Sequence, residues 1–414
     1  MNIVNPKPSI KEVQSKMNRT KRPFAAATMT MLMVSVLSGC GGDDTTDTEA
    51  ANNLTSSGNG NTAAGITTLQ FDATGGGRGA APTDPANKYT YLNLETGAVV
   101  NLTDAAAASS NDWHVAFKRT ATKLNGGVSG SGTVRGAMAD TQEEFYLANG
   151  EADTSVFLNA TADTELTSLQ AVSDVTALTF SSDRHIAAMT GDGGIKSWWS
   201  YNPAVHSVEA AADNWWLVKS AAGNSYAKVH VTNIVQTSRD ITLELFIQDV
   251  GSSNFSTVAT TYTAAIGAAG GSKCYDIDTV SEVDCTTAAA NWDLKVEVSS
   301  DGRDWNIWSN GGSSGSGDGA VFGTVDAADI AAYPSGTHHS NGMNISSLYK
   351  SDSAGGLFAD NSWYAYSLQG NNKLWPNYRV YAIDTGSAQY ALQVLSFYDA
   401  TGTSGMLKVR YKAL

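Results

Sequence analysis

The side chains of this sequence that could ligate a metal ion are histidines and methionines in loop-like segments. A neutral imidazole nitrogen or a thioether sulfur can ligate a transition-metal ion. The candidates outside strand-like segments are His185, Met189, His206, His338, His339 and Met343. Two further histidines, His114 and His230, fall within strand-like segments, where we expect partly exposed side chains with a structural role. Any ligand chemistry should therefore be sought in the loops.

Other kinds of site find less support. The adjacent His338 and His339 could hold a metal ion, but no cysteine or carboxylate cluster follows the spacing that would complete such a site. No His-Glu-x-x-His motif occurs, and the glycine-rich segments 75–80 and 129–136 lack the strand–helix context of a phosphate-binding loop. We therefore do not expect an enzyme.

The N-terminus indicates export and lipidation. Lysine and arginine residues up to position 22 precede a short apolar segment at 24–37, and the sequence LSGC at 37–40 follows. This order is typical of a secretory signal peptide, and its apolar part is too short for a membrane span. Since LSGC resembles a bacterial lipobox, we predict a signal peptide at 1–39 and lipidation of Cys40, with a plain signal as the less favoured alternative. The glycines at 41 and 42 favour the outer membrane of a Gram-negative bacterium.

Two other cysteines, Cys274 and Cys285, flank a segment of alternating apolar and polar residues whose midpoint falls at Thr279 and Val280. A short hairpin would bring the two thiols together, and an exported protein can keep a disulfide. We predict this disulfide and regard a two-cysteine metal site as the weaker alternative.

The composition favours β structure after a flexible tether. The 414 residues include 40 glycines and 10 tryptophans, and only 16% of them are charged. Residues 40–66 are small and polar, whereas short strand-like segments bounded by turn residues begin at 67. The net charge of −14 and the absence of basic runs after residue 22 argue against a nucleic-acid partner.

Four landmarks occur twice in the same order. Segments 113–117 (WHVAF) and 292–296 (WDLKV) resemble each other, as do the NGG turns at 125 and 310. The SWW and SWY sequences at 197 and 362, and the asparagines at 214 and 377, complete the set. We therefore predict a tandem duplication, with domains at 67–252 and 253–414.

These landmarks, together with the lipobox and a tyrosine-rich hairpin, resemble the HmuY-type haem-binding lipoproteins. The resemblance covers nearly everything after residue 67, twice. It departs at Lys295 and Val296, where the first copy has Ala-Phe, and at Leu392, where the first copy has a lysine. It implies an all-β, mostly antiparallel fold in each copy. It also implies that loops at one end bind haem, and that an outer-membrane receptor takes the haem up.

The resemblance makes the loop histidines and methionines candidate haem ligands and suggests an aromatic pocket. The pocket candidates are Trp198, Trp199, Trp215, Trp216, Trp363 and Tyr364, although such clusters also occur as ordinary core. A second hypothesis remains open: the same fold could bind a glycan, another tetrapyrrole or a receptor protein without haem. We expect dispersed, outward-facing histidines if that second hypothesis holds.

Overall fold

A computed structural model describes residues 65–77, 84–191, 194–286 and 291–414. All of these belong to one compact unit. The predicted signal peptide, Cys40 and most of the predicted tether lie outside the described residues. No helix in the described parts of the chain is both long and apolar enough to cross a membrane.

Short antiparallel strands dominate the described residues, which confirms the predicted all-β fold. Residues of the first predicted copy form β1 (Ile66–Asp72), β2 (Thr90–Asn93), β3 (Ala98–Val100), β4 (Val115–Lys118), β5 (Ala121–Leu124), β6 (Arg135–Asp140), β7 (Arg184–Ile186), β8 (Trp199–Asn202), β9 (Ser207–Ala210), β10 (Asn214–Lys219), β11 (Tyr226–Val235) and β12 (Asp240–Gln248). The α-helices of the described residues are α1 (Asp104–Ala107), α2 (Thr154–Asn159), α3 (Leu166–Ala171) and α4 (Leu357–Asp360). Single 3₁₀ turns occur at Glu143–Phe145, Ile330–Ala332 and Ser346–Leu348.

The second copy repeats the strand order of the first. Its strands are β13 (Thr260–Ala265), β14 (Gly271–Asp276), β15 (Ser281–Val283), β16 (Leu294–Val298), β17 (Trp305–Ser309), β18 (Ala320–Asp326), β19 (Ser353–Gly355), β20 (Tyr364–Tyr366), β21 (Leu374–Pro376), β22 (Val380–Asp384), β23 (Gln389–Tyr398) and β24 (Ser404–Ala413). The landmarks are equivalent in detail. Asn125 Nδ2 donates to Trp113 O at 2.8 Å, and Asn310 Nδ2 donates to Trp292 O at 2.7 Å. The shared bonds show that the repeated landmarks do the same structural work.

The two copies exchange halves. One five-stranded sheet has the order β1-β24-β23-β22-β6, and the other has the order β13-β12-β11-β10-β18. Each sheet therefore takes its two edge strands from the first half of one copy and its three central strands from the second half of the other. We call residues 65–183 and 356–414 the outer lobe, and residues 184–355 the inner lobe.

This pairing differs from the predicted division into 67–252 and 253–414. Neither predicted domain holds a complete five-stranded sheet, because strand pairs cross the boundary at β1·β24, β6·β22, β10·β18 and β12·β13. Equivalent strands of the two copies have the same hydrogen-bonding edges. The order of landmarks along the chain therefore does not determine whether a strand pairs with its own copy or with the other copy.

Each lobe has its own apolar core with contributions from both copies. In the outer lobe, Phe71 and Phe117 pack with Tyr381 and Val409. In the inner lobe, the buried side chains of the first copy include Leu243, and those of the second copy include Val296 and Ile307. Because burying one large apolar side chain contributes about 1.5–3 kcal/mol, these shared cores are the main force that holds the exchanged halves together.

The chain passes between the lobes at β7 and β19, which pair antiparallel. At each passage the second glycine of an NGG turn bridges to a buried aspartate, Gly127 to Asp183 and Gly312 to Asp352. Both glycines have φ near +63°, and a Cβ on either would collide with the carbonyl oxygen of its aspartate. The repeated NGG motif is therefore required by close backbone contact as well as by positive φ.

Two further local predictions can be compared with the structure. The Cys274–Cys285 disulfide is present, with a Cα–Cα distance of 5.3 Å, and this confirms the prediction. The expected strand beginning at Trp113 begins instead at Val115. Trp113 consequently packs on the opposite side of the sheet from Val115, beside Tyr91 and Ala116. The reason is that the backbone bends at Asp112 and His114, before the strand begins.

Candidate functional site

His206 is an exposed candidate ligand on the hairpin of β8 and β9. It ends the turn between β8 and β9 with a φ of +54°, and its Nδ1 lies 2.8 Å from the Tyr201 hydroxyl. In the described part of the chain its Nε2 has no hydrogen-bond partner. Tyr201 and Val205 beside it are 49% and 66% exposed. A histidine held through one ring nitrogen, with the other nitrogen free, is the usual arrangement of a metal-ligating imidazole.

The second copy has no histidine at the equivalent place. There the hairpin of β20 and β21 carries Tyr366, whose hydroxyl donates to Asn372 Oδ1 at 2.9 Å. The tyrosine is kept while the imidazole is replaced by an amide, which is a poor iron ligand. Only one of the two equivalent hairpins therefore offers a nitrogen ligand at its tip.

His185 lies on β7, where the chain passes between the lobes. Its Nδ1 is 3.1 Å from Ser313 Oγ, and its exposed ring packs edge-on against Trp308 with 5.9 Å between ring centroids. Asp183 and Asp352 are equivalent, so His185 corresponds to Ala354 in the second copy. The loop that carries His338 is therefore not the counterpart of His185.

The other candidates of the second copy share one small loop. His338 is exposed and its Nδ1 lies 2.9 Å from Thr337 Oγ1, while His339 Nδ1 accepts the Asn341 N–H at 3.2 Å. Met343 is 49% exposed, and the Met343 carbonyl oxygen accepts the His339 N–H. These three residues belong to one local turn. The contacts described for their side chains do not extend to His185 or His206.

Met189 is placed differently from the prediction. Its side chain is fully buried in the core of the inner lobe, and its backbone bridges to Ile307. A ligand at the surface would have to open the core to reach the thioether. The sequence was misleading here because a methionine four residues after a histidine looks the same in a loop as at the start of a packed segment.

The aromatic candidates divide into core and half-buried residues. Trp198, Trp216 and Trp363 are at most 1% exposed and belong to the lobe cores. Trp199 and Tyr364 pack against those cores while remaining partly exposed. Trp215 stacks on the His230 ring at a centroid distance of 3.6 Å. The six predicted pocket residues therefore do not line one common cavity, and core packing accounts for three of them.

The two strand histidines are buried, contrary to the expectation of partial exposure: His114 is 7% and His230 is 9% exposed. His114 Nδ1 accepts the Leu94 N–H at 3.0 Å, and the equivalent Asp293 Oδ2 accepts the Ile277 N–H at 2.7 Å. Burial lowers the pKa of His114, which favours its neutral, accepting form. His114 and Asp293 each follow the tryptophan of the repeated landmark, and each accepts a backbone N–H. A hydrogen-bond acceptor kept at the same position in both copies is the signal that could have indicated burial.

Asp293 forms a group of three carboxylates with Asp276 and Asp278. Oxygen atoms of the three lie within 4.8 Å of one another. The second oxygen of Asp293 accepts the Ala221 N–H at 2.6 Å, and Asp276 accepts the Asp278 and Thr279 N–H groups. Burial raises the pKa of Asp293 to about 6. These bonds to the backbone give the cluster a structural role.

The raised pKa of Asp293 predicts a pH-dependent stability. Its pKa is about 6 in the folded state against an ordinary value of 3.8, so the folded state holds more protons between these two values. The free energy of unfolding should therefore fall as pH rises through this window, by up to about 3 kcal/mol from this group. Asp293→Asn should remove this slope in urea unfolding measured from about pH 4 to pH 7. The same slope in both proteins would contradict the assignment.

With the hairpin described, the chain can be compared with known proteins. Residues 86–245, which include β2 to most of β12, match the family model described as HmuY protein. This match confirms the HmuY resemblance in a segment that spans most of the first copy. No curated protein matches the chain significantly.

The solved structures that the chain resembles include two from Bacteroides species. One, assigned as an HmuY-like heme binding protein from Bacteroides vulgatus, is 9% identical, covers 84% of this chain and 91% of its own, and gives a TM-score of 0.25. The other, assigned as a lipoprotein from Bacteroides fragilis, is 12% identical, covers 43% of this chain and 91% of its own, and gives a TM-score of 0.14.

Proposed function

We propose that this protein binds haem at the β8–β9 hairpin, with His206 as an iron ligand. The observation that carries the proposal is the His206 imidazole, fixed by Tyr201 and open at Nε2, inside the segment that matches the HmuY family. Haem iron takes a neutral imidazole beside apolar surface, and the exposed Tyr201 and Val205 side chains provide such surface. His206 would hold the iron through Nε2, and haem when bound would serve as cargo.

The proposal includes a place and a partner in the cell. The lipobox at Cys40 and the polar residues that follow it support a lipid anchor in the outer membrane of a Gram-negative bacterium. Cargo held at the tip of an exposed hairpin could be passed to an outer-membrane uptake receptor without unfolding of either lobe. We assign the protein no catalytic role, because binding and release of haem require no bond to be made or broken in the porphyrin.

A second candidate function is binding of a different ligand on the same fold. The observation that favours it is the dispersal of the candidate ligands: His185, His206 and His338 have separate hydrogen-bond partners on separate elements, and Met189 is buried. In that case the exposed hairpin would contact a glycan, another tetrapyrrole or a protein through Tyr201 and Val205.

Haemin titration followed by absorbance separates the two functions. The wild-type protein should give a Soret band distinct from that of free haemin, and His206→Ala should weaken binding by about 100-fold because an iron ligand would be lost. Tyr201→Phe keeps the ring but frees the imidazole, and should weaken binding by about 10-fold. His338→Ala serves as the matched control and should bind normally. A wild-type spectrum equal to that of free haemin would favour the second function.

A further inference from the structure

The disulfide between Cys274 and Cys285 joins a buried residue to a partly exposed one. Cys274 is 0% exposed and belongs to an apolar cluster with Trp292 and Trp308. Cys285 is partly exposed, and the Ser272 hydroxyl donates to its Sγ at 3.8 Å. A thiolate must reach a sulfur atom in order to break a disulfide. An external thiol can therefore attack Cys285, whereas the fold shields Cys274.

Cys285 also lines a surface pocket of about 450 Å³. The lining includes an ion pair in which Lys273 Nζ lies 2.7 Å from Glu282 Oε1. Both side chains of this pair are more than a third exposed, so solvent reaches the pocket. The pocket leaves room for a small molecule beside Cys285.

The equivalent place in the first copy has neither a cysteine nor a cation at these two positions. Tyr91 lies opposite Ala116 across β2 and β4, and Cys274 lies opposite Lys295 across β14 and β16. Residues directly opposite each other in an antiparallel pair have Cβ atoms about 4.5–5.5 Å apart. The second copy therefore combines the disulfide with a lysine directly across from its buried cysteine.

Lys295 is placed to stabilise the sulfur that leaves when the disulfide breaks. Its ammonium lies 5.9 Å from the centre of the Trp292 ring and 5.8 Å from that of the Trp308 ring. These are the two rings that pack with Cys274. The same ammonium lies 3.7 Å from Glu297 Oε2 in a partly exposed ion pair. An ammonium beside a cysteine favours the thiolate, and a disulfide breaks faster when its leaving sulfur is stabilised as a thiolate.

We propose that this disulfide is a thiol-exchange site that takes a small thiol on Cys285. The sulfur of the external thiolate bonds to Cys285 Sγ, the bond between the two cysteines breaks, and its electron pair leaves on Cys274 Sγ. The external thiol is thereby oxidised to a mixed disulfide while Cys274 is reduced, and Cys274 takes up one proton. The pairing of β14 with β15 still holds the hairpin. This inference goes beyond the proposed function and does not depend on haem binding.

The test is incubation of the oxidised full chain with cysteamine, followed by acid quenching, alkylation of free thiols and peptide mapping by mass spectrometry. At early times the adduct should lie on Cys285 and the alkylated thiol on Cys274, with a preference of about 10-fold or more. The control is the same reaction in urea, where both sulfurs are accessible and the preference should disappear. An adduct divided evenly between the cysteines of the folded chain would contradict the proposal. So would a folded chain that gives no adduct under conditions in which the unfolded chain reacts.

Two matched variants test the role of Lys295. Lys295→Met keeps an apolar side chain against the tryptophans but removes the ammonium, and should slow adduct formation by about 10-fold. Lys273→Met removes the ammonium on the pocket side and should stay within about twofold of the wild-type rate. In urea all three proteins should react at the same rate, because the cross-strand placement is lost. Equal rates for folded Lys295→Met and folded wild type would overturn the role assigned to Lys295.

Discussion

Residues 184–355, expressed as a separate polypeptide, are expected to fold cooperatively and to give a single urea unfolding transition. This fragment contains the complete sheets β13-β12-β11-β10-β18 and β15-β14-β16-β17, together with the β7·β19 pair that joins its ends. Its core cluster includes no residue from outside the fragment. Because the buried apolar surface is complete, the fragment should keep most of the stability that the inner lobe has in the full chain.

The fragment is a demanding test because a simple tandem of closed domains would leave it unable to fold. In such a tandem, the fragment would combine the second half of one domain with the first half of the next. The control is the same fragment carrying Ile307→Asp, which buries an unpaired charge in the core and should abolish the transition. An unfolded spectrum for the unmodified fragment would show that the copies do not exchange halves.

Asp352→Ala should lower the free energy of unfolding of the full chain by about 3–5 kcal/mol. The carboxylate is 2% exposed and accepts the Ala188 N–H at 2.7 Å and the Ser309 N–H at 2.8 Å, as well as the Ser314 hydroxyl. Removing it leaves one buried and one part-buried backbone donor without their partner at the passage between the lobes. Burial also raises the pKa of Asp352, which reflects how little solvent reaches this carboxyl group.

The matched control for this change is Asp360→Ala, which removes another carboxylate near the same passage. Asp360 pairs with Arg184 at 3.0 Å, but both side chains are more than half exposed. An exposed ion pair contributes at most about 1 kcal/mol, so the control should change the unfolding midpoint only slightly. Urea unfolding of the two variants compares them directly. Equal losses would mean that Asp352 does not anchor the passage.

Local features of the fold could be predicted from the sequence, because short-range physics determines them. The alternation between Cys274 and Cys285 indicated a hairpin, and the thiols do meet across it. The NGG landmarks indicated turns with positive φ, which Gly127 and Gly312 adopt. The repeated landmarks also correspond in three dimensions, since Asn125 and Asn310 make the same bond.

Features that depend on distant partners could not be predicted. The exchange of halves could not be predicted, because nothing in the sequence of β12 distinguishes pairing with β1 from pairing with β13. The burial of Met189 depends on packing against strands far along the chain, such as the one that carries Ile307.

The most direct test of haem binding by the inner lobe is haemin titration of the 184–355 fragment beside the full chain. The fragment carries His206, Tyr201 and Val205 but lacks the hairpin of β20 and β21. It should reach the same Soret maximum as the full chain with a break at one equivalent. A folded fragment that leaves the spectrum of free haemin unchanged, while the full chain binds, would contradict the inner-lobe site.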